Sequence, residues 1–262
     1  MDVLGDFEQI ALRAGNAILQ AVHSNQEIAY KRDSSPVTEV DQRAEEIIVG
    51  ALNKAFPHIV VIAEESAGIE TTPDLSRGEF FLVDPLDGTK EFIRGSDEFT
   101  VNIALVRAGI PIAGIVYAPA KSVAYVGSKS KAEKLTVDSA FSVANRTMIK
   151  CRSAANSLTA VTSWSHNNFE TEEFLKRRHV TNSIRVGSSL KFCLVAEGAA
   201  DIYPRFGRTM EWDTAAGDAV LRAAGGLTVG LDGEALWYGK TNQPDDCDFA
   251  NPFFIAHSAQ GN

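Results

Sequence analysis

Glu79-Phe80-Phe81-Leu82-Val83-Asp84-Pro85-Leu86-Asp87-Gly88-Thr89-Lys90-Glu91-Phe92-Ile93-Arg94-Gly95 sets an apolar run directly against a pair of carboxylates. Phe80 to Val83 has the pattern of a strand buried on both faces. Asp84 and Asp87 fall at its C-terminal end, where carboxylates do not belong in a core. Pro85 fixes the backbone between them and removes one donor, which lets the Leu86 carbonyl turn toward the space the two Asp side chains surround. Three oxygens then converge, and a hard divalent cation such as Mg2+ is held by one or two carboxylates with water and substrate phosphate. Gly88 permits close backbone approach. Thr89 opens a short helix to Arg94 whose first N–H groups face the same place, and such an end attracts phosphate. The same residue types also make an ordinary acidic turn.

A second strand ends in the same way. Ile59-Val60-Val61-Ile62 runs into Ala63-Glu64-Glu65-Ser66, so two strands deliver acids in one direction, although an acidic loop accounts for Glu64 and Glu65 as well. Upstream, Thr38 with Asp41 has the outline of a capping box. The helix it opens runs to about Phe56 and buries Ala44, Ile47, Ile48, Ala51 and Leu52. Residues 2–29 carry Leu4, Phe7, Ile10, Ala11, Ala14, Ile18 and Val22 at steps of three or four, which predicts an amphipathic scaffold helix;. Lys31 to Thr38 is polar and contains Pro36, which disfavours helix at Ser35 and predicts an extended loop or hairpin.

Downstream, alternation from Glu98 to Val126 predicts a β-meander with Phe99, Val101, Ile103 and Leu105 on its core face;. Residues 127–150 are richer in Lys and Ser and read as edge strand and surface loop. A second half begins near Cys151. Gly187-Ser188-Ser189 leads into a helix from Leu190 to Ala196; it caps that helix or, with Lys191 on the first turn, holds an anion;. Arg205 supplies another local cation beside a strand. Asp213 opens an Ala-rich helix reaching Ala224, where its plainest role is an N-terminal cap. Leu227-Thr228-Val229 makes a late strand.

The 262 residues suffice for one large α/β unit or two closely packed halves, and no long linker, internal repeat or low-complexity tract interrupts them;. A formal charge of −9 argues against holding a nucleic-acid polymer by neutralising its phosphates, so a polyanionic substrate must be met by local cations;. Cys151, Cys193 and Cys247 are widely spaced and odd in number, which suits reduced thiols and lacks zinc-site spacing;. The N-terminus lacks a basic segment followed by an apolar core, and no run approaches ~18 apolar residues, so neither a secretory signal nor a spanning helix is expected. The expected location is cytoplasmic, with a peripheral position at the inner membrane as the alternative.

Val37-Thr38 with Asp41, Glu64-Glu65, Asp84 to Thr89, and Trp212 to Gly217 occur in the order found in the inositol monophosphatase superfamily, which this chain resembles. Ser35 to Thr38, Asp84 to Ile93, Phe99 to Leu105, Gly187 to Gly198 and Tyr203 to Gly207 resemble its bacterial CysQ-type branch of 3'(2'),5'-bisphosphate nucleotidases, and the likeness runs from about residue 2 to 230. The resemblance implies an α/β fold of layered αβαβα type, one compact unit in which residues 1–128 carry most metal ligands and residues 129–262 most substrate contacts. It implies two or three Mg2+ ions on Glu64, Asp84, the Leu86 carbonyl, Asp87 and Asp213. Spacing does not choose between Glu64 and Glu65; the resemblance selects Glu64. It makes Thr89, backed by Asp41, the pair that orients or deprotonates the attacking water. Gly88, Thr89, His166, Ser188, Lys191, Arg205 and Asp213 become the substrate contacts. The implied reaction is hydrolysis of the 3'-phosphate of adenosine 3',5'-bisphosphate, and of its sulfated analogue, in sulfur assimilation, with inhibition by Li+. An inositol or sugar monophosphatase using the same cage is the alternative. The chain departs from the branch at Ser163-Trp164-Ser165-His166, where its relatives usually carry Ser-Arg-Ser-His.

Overall fold

Phe80 and Leu82 face one hydrophobic core while Phe81 and Val83 face another, so the strand they form is buried on both sides, as its apolar run predicts. Each such side chain contributes about 1.5–3 kcal/mol on burial, which fixes the strand's register and brings Asp84 to the rim. The computed structural model describes residues 3–22, 28–30, 36–67, 74–153, 157–164 and 168–258.

Helix α1 (Val3–Ala21) buries Phe7, Ile10, Ala11, Ala14 and Ile18 along one stripe;. It ends at Ala21 and not at 29: Ile28–Tyr30 is strand β1, paired antiparallel with β2 (Pro36–Thr38). The apolar steps of three and four stop at Val22, and the next apolar residue, Ile28, opens β1;. The expected hairpin exists in these two strands; residues 31–35 between them lie outside the described residues. Helix α2 (Glu39–Ala55) begins at the expected capping box, with the Thr38 hydroxyl accepting from the Val40 N–H at 3.2 Å and Asp41 accepting from the Thr38 N–H at 2.8 Å.

The larger sheet has seven strands in sequence order: β3 (Val60–Ala63), β4 (Glu79–Asp87), β5 (Thr100–Arg107), β6 (Ile110–Ala118), β7 (Val123–Ser128), β8 (Lys131–Val137) and β9 (Val143–Ile149). Only β3 and β4 run parallel. Residues 127–150 are thus two further strands of this sheet and not mainly surface loop. β8 buries Ala132, Leu135 and Val137, whereas β9 is the exposed edge, which gives the segment its polar composition;. The short helix α3 (Thr89–Ile93) follows β4 where the sequence places it.

Beyond Cys151 come β10 (Thr159–Thr162), α4 (Phe169–Arg177), β11 (Asn182–Arg185), α5 (Leu190–Ala196), β12 (Ile202–Arg205), α6 (Ala215–Ala223), β13 (Leu227–Gly230) and β14 (Phe254–His257). Five strands form the second sheet in the order β11-β10-β12-β14-β13, with β11, β10 and β12 parallel. Helices α1 and α2 pack on one face of the larger sheet, α5 and α6 lie between the two sheets, and α4 packs on β12, the layered αβαβα arrangement. Helix α6 approaches β6 so closely that a Cβ on Gly114 would stand 2.7 Å from the Ala216 carbonyl oxygen, which explains the run of small residues there. No helix among the described residues is long and apolar enough to cross a membrane.

Candidate active site

Parallel pairing of β3 and β4 aligns Ala63 with Val83, so both strands exit together, and the Glu64 N–H donates to the Val83 carbonyl at 3.1 Å. Asp84 is buried and accepts from the Leu86 N–H at 3.0 Å across the bulge that Pro85 and Leu86 make in the ladder to β5. Asp213 arrives from the other half of the chain. Glu64, Asp84 and Asp213 each present a carboxylate oxygen within 4.8 Å of the others. Asp213 is not the cap of α6: that position is Thr214, and the Asp213 carboxylate bends back to accept from the Met210 N–H at 2.8 Å. The turn is held from behind, where buried Glu211 pairs with Lys240 at 2.6 Å and Asn251 donates to the Met210 carbonyl at 2.7 Å.

Burial pushes the Asp213 carboxyl well above the usual carboxylate range, and the neighbouring charges of Asp87 and Glu64 push it further. Burial also raises Asp87, opposed by the Lys191 ammonium. Crowded, mutually repelling oxygen donors fit a hard divalent cation, which replaces their repulsion with attraction. Asp87 stands beside the converging trio, its carboxylate accepting from the Ser189 hydroxyl at 2.9 Å. That hydroxyl has one proton, so its 2.7 Å contact with the Asp213 carbonyl is the alternative acceptor; it accepts in turn from the Asn102 amide at 2.9 Å;.

On the opposite flank, Asp41 is buried and gathers three donors, the Thr38 N–H at 2.8 Å, the Thr38 hydroxyl at 2.6 Å and the Thr89 hydroxyl at 2.9 Å. The Leu86 carbonyl lies 3.2 Å from the same Thr89 oxygen and competes for its single proton. With that proton on Asp41, the Thr89 oxygen is left as an acceptor, the state needed to receive a hydrogen bond from water.

Gly88 takes a left-handed conformation, φ 96°, between Asp87 and Thr89. Across the site, Lys191 is buried and donates to the Ser188 carbonyl at 2.5 Å, and burial lowers its pKa to about 8 against the raising influence of Asp87. The Ser188 hydroxyl and the Arg205 Nε are buried without a hydrogen-bond partner, while another Arg205 nitrogen donates to the Arg208 carbonyl at 3.0 Å. Buried donors left unmatched are what an absent anionic ligand leaves behind. His166 lies outside the described residues. Trp164 is exposed, with the Arg185 guanidinium 5.7 Å from its ring centre.

Three residues escaped the sequence. Ser189 lies beside Ser188, the serine that the family resemblance selects, and has no local pattern of its own. Asn102 is a buried polar residue that interrupts the apolar run Val101 to Val106, and that interruption is its signal. Glu45, on α2, accepts from the Glu65 N–H at 2.7 Å and so anchors the Glu64–Glu65 turn; burial raises its pKa. Glu65 is not one of the three converging carboxylates.

Comparison with known proteins gives a consistent picture. The model of the inositol monophosphatase family matches residues 3–258. The chain is 44% identical over 233 residues to the 3'(2'),5'-bisphosphate nucleotidase CysQ of Shigella flexneri, covering 88% of this chain and 91% of that one. It is 39% identical over 254 residues to the CysQ of Buchnera aphidicola, covering 95% and 91%. The crystal structure of CysQ from Bacteroides thetaiotaomicron, described as a bacterial member of the inositol monophosphatase family, superposes with a TM-score of 0.76 at 36% identity over 96% of this chain and 95% of that one.

Proposed function

We propose, proceeding from the fact that this chain belongs to the inositol monophosphatase family, that it removes the 3'-phosphate of adenosine 3',5'-bisphosphate to give AMP and phosphate. The sulfated analogue is a second substrate, the setting is sulfur assimilation, and the location is cytoplasmic. The observation that carries the reading is the meeting of Glu64, Asp84 and Asp213 on the same site as the buried cation Lys191, which the charges of Asp87 and Asp213 reach. A trio of acids suits cations; a buried ammonium beside them suits a further anionic group on the substrate.

Residues 1–128 supply Glu64, Asp84, the Leu86 carbonyl and Asp87, and residues 129–262 supply Asp213 and most of the substrate contacts. Glu64, Asp84, the Leu86 carbonyl, Asp87 and Asp213 would hold two or three Mg2+ ions, which would supply charge neutralisation and a more acidic water. The chain's own work is positioning, which is most of what phosphoryl transfer requires. Asp41 keeps the Thr89 hydroxyl turned so that its oxygen orients the water on the side opposite the leaving 3'-oxygen. Water adds to phosphorus as the P–O3' bond breaks, and the 3'-oxygen leaves as the hydroxyl of AMP. Gly88 and Thr89 offer backbone N–H groups to the transferred phosphate. Ser188, Lys191 and Arg205 meet the remaining phosphate, Arg205 with a geometry suited to two oxygens at once; His166 completes the nucleotide contacts.

Turnover of adenosine 3',5'-bisphosphate, its sulfated form and inositol 1-phosphate, with and without Mg2+, tests the reading. The bisphosphate nucleotide is expected to give the highest kcat/KM, Mg2+ to be required, and millimolar Li+ to inhibit. Faster turnover of inositol 1-phosphate would refute the nucleotidase reading in favour of an inositol monophosphatase.

A further inference from the structure

Glu98 stands between α3 and β5, at the start of the predicted meander and outside the residues assigned to the site, and it touches both halves of that site. Its carboxylate accepts from the Gly187 N–H at 2.8 Å across 89 residues of sequence. Its carbonyl oxygen occupies the space beside two glycines: a Cβ on Gly187 would lie 2.9 Å from it and a Cβ on Gly88 3.1 Å from it. Gly88 follows Asp87, and Gly187 precedes Ser188. One peptide is therefore wedged between the turn that carries the acids and the loop that carries Ser188 to Lys191. The Glu98 N–H donates to the Ser96 hydroxyl at 3.2 Å, which fixes the approach of the wedge.

The loop needs such a tether. Ser188 is a non-glycine residue at φ 48°, a left-handed conformation that persists only where its surroundings over-determine it;. Ser189 is pinned independently by Asn102 and Asp87, at 2.9 Å each. Among the described residues, the hydrogen bond that ties residue 187 to the metal side is the one to Glu98. Behind Glu98 opens a cavity of about 550 Å³ lined also by Lys121, Tyr125, Arg185, Val186 and Leu190. The hydrogen bond from the Gly187 N–H to the Glu98 carboxylate ties the loop to this segment.

We infer that Glu98 is a positioning residue that sets the distance between the acidic turn and the Ser188–Lys191 cradle, and through it the preference for a substrate with two phosphates. The inference rests on the functional reading above, in which that cradle meets the second phosphate. A small monoester makes no use of the cradle, so loosening residues 187 and 188 weakens only the larger substrate.

The test is steady-state kinetics of the full chain with Mg2+ on adenosine 3',5'-bisphosphate and p-nitrophenyl phosphate, for wild type, Glu98→Ala and Glu98→Gln. Glu98→Ala is expected to raise KM for the bisphosphate about tenfold, equivalent to ~1.4 kcal/mol, with less than about a twofold change for the monoester. Glu98→Gln keeps an oxygen for the Gly187 N–H and is expected to stay within about twofold of wild type on both. Equal KM effects on the two esters, no effect of Glu98→Ala, or a Glu98→Gln as impaired as Glu98→Ala would each overturn the assignment. Should Glu98→Ala fail to fold, Gly187→Ala crowds the same contact from the other side and is expected to give the same selective rise; an unselective one overturns it. Wild-type preference for inositol 1-phosphate over the bisphosphate would overturn the functional reading and, with it, the substrate named here, whereas the other outcomes bear on Glu98 alone.

Discussion

Replacing Asp213 by Asn is expected to make the metal-free protein more stable while abolishing turnover. Carboxylate oxygens of Glu64, Asp84 and Asp213 lie within 4.8 Å of one another. Two unit charges at that distance repel by ~3.5 kcal/mol at an effective dielectric of about 20 and by ~0.9 kcal/mol in bulk water. Asp213 is partly exposed, so the lower end of that range applies to each of its two pairs;. Relief of about 1–2 kcal/mol corresponds to a rise of about 2–8 °C in Tm for a chain of this size. The Asn oxygen still accepts from the Met210 N–H, so the turn keeps its hydrogen bond. The pH dependence identifies the cause. Burial and the charges of Asp87 and Glu64 raise the Asp213 pKa in the folded chain. A group raised in this way contributes its full stability below the ordinary carboxylate range and loses it as pH climbs through the folded-state value. The Asn variant has no such proton, so its advantage over wild type should be small near pH 4 and grow toward pH 8. Thermal unfolding in EDTA across that range, repeated with Mg2+, is the assay. Mg2+ should raise the wild-type Tm and narrow or reverse the gap, because a ligand bound only by the native state stabilises it. An Asn variant no more stable than wild type at pH 8, or an advantage independent of pH, would refute the account of Asp213 as a repelled member of a metal cage.

Asp87→Asn is expected to remove nearly all turnover, read directly as kcat, because Asp87 is both a proposed ligand and the acceptor of the Ser189 hydroxyl. Thr89→Ala should lower kcat ~10²-fold with little change in KM, and Thr89→Ser should recover most of it, since only the hydroxyl held by Asp41 is at issue;. Lys191→Ala should raise KM for the bisphosphate nucleotide about tenfold or more while sparing a small phosphate ester. With its pKa lowered to about 8 by burial, Lys191 is charged below that pH and neutral above it, so KM for the nucleotide should climb through pH 8 in wild type. Lys191→Arg, which stays charged, should lose that limb of the pH profile.

Much of the site was written locally. The tetrad Phe80 to Val83 fixed a doubly buried strand, and the carboxylates that follow it had to emerge at its end. Thr38 and Asp41 declared the start of α2 because a capping box is closed within four residues, and α5 spans Leu190 to Ala196 as its pattern implies. What failed was of two kinds. Residues 127–150 read as edge strand and surface loop, and β8 and the edge strand β9 are not told apart there, because a strand covered on one face, or on neither, lacks the apolar run that a central strand shows;. The other failures were contacts between distant segments, which no local pattern encodes. Asn102 and Ser189, 87 residues apart, and Glu98 and Gly187, 89 apart, meet only because the two sheets sandwich α5 and α6. Asp213 is named as a site residue by the family resemblance and not by its local pattern. Its place beside an Ala-rich helix suggests a cap, whereas its carboxylate accepts from the Met210 N–H and meets Glu64 and Asp84, in a turn braced by the Glu211–Lys240 pair and by Asn251. Lys240 and Asn251, which brace that turn through Glu211 and the Met210 carbonyl, lie well beyond it in sequence, and substitutions at Glu211 or Asn251 should disturb the cage without touching any of its ligands.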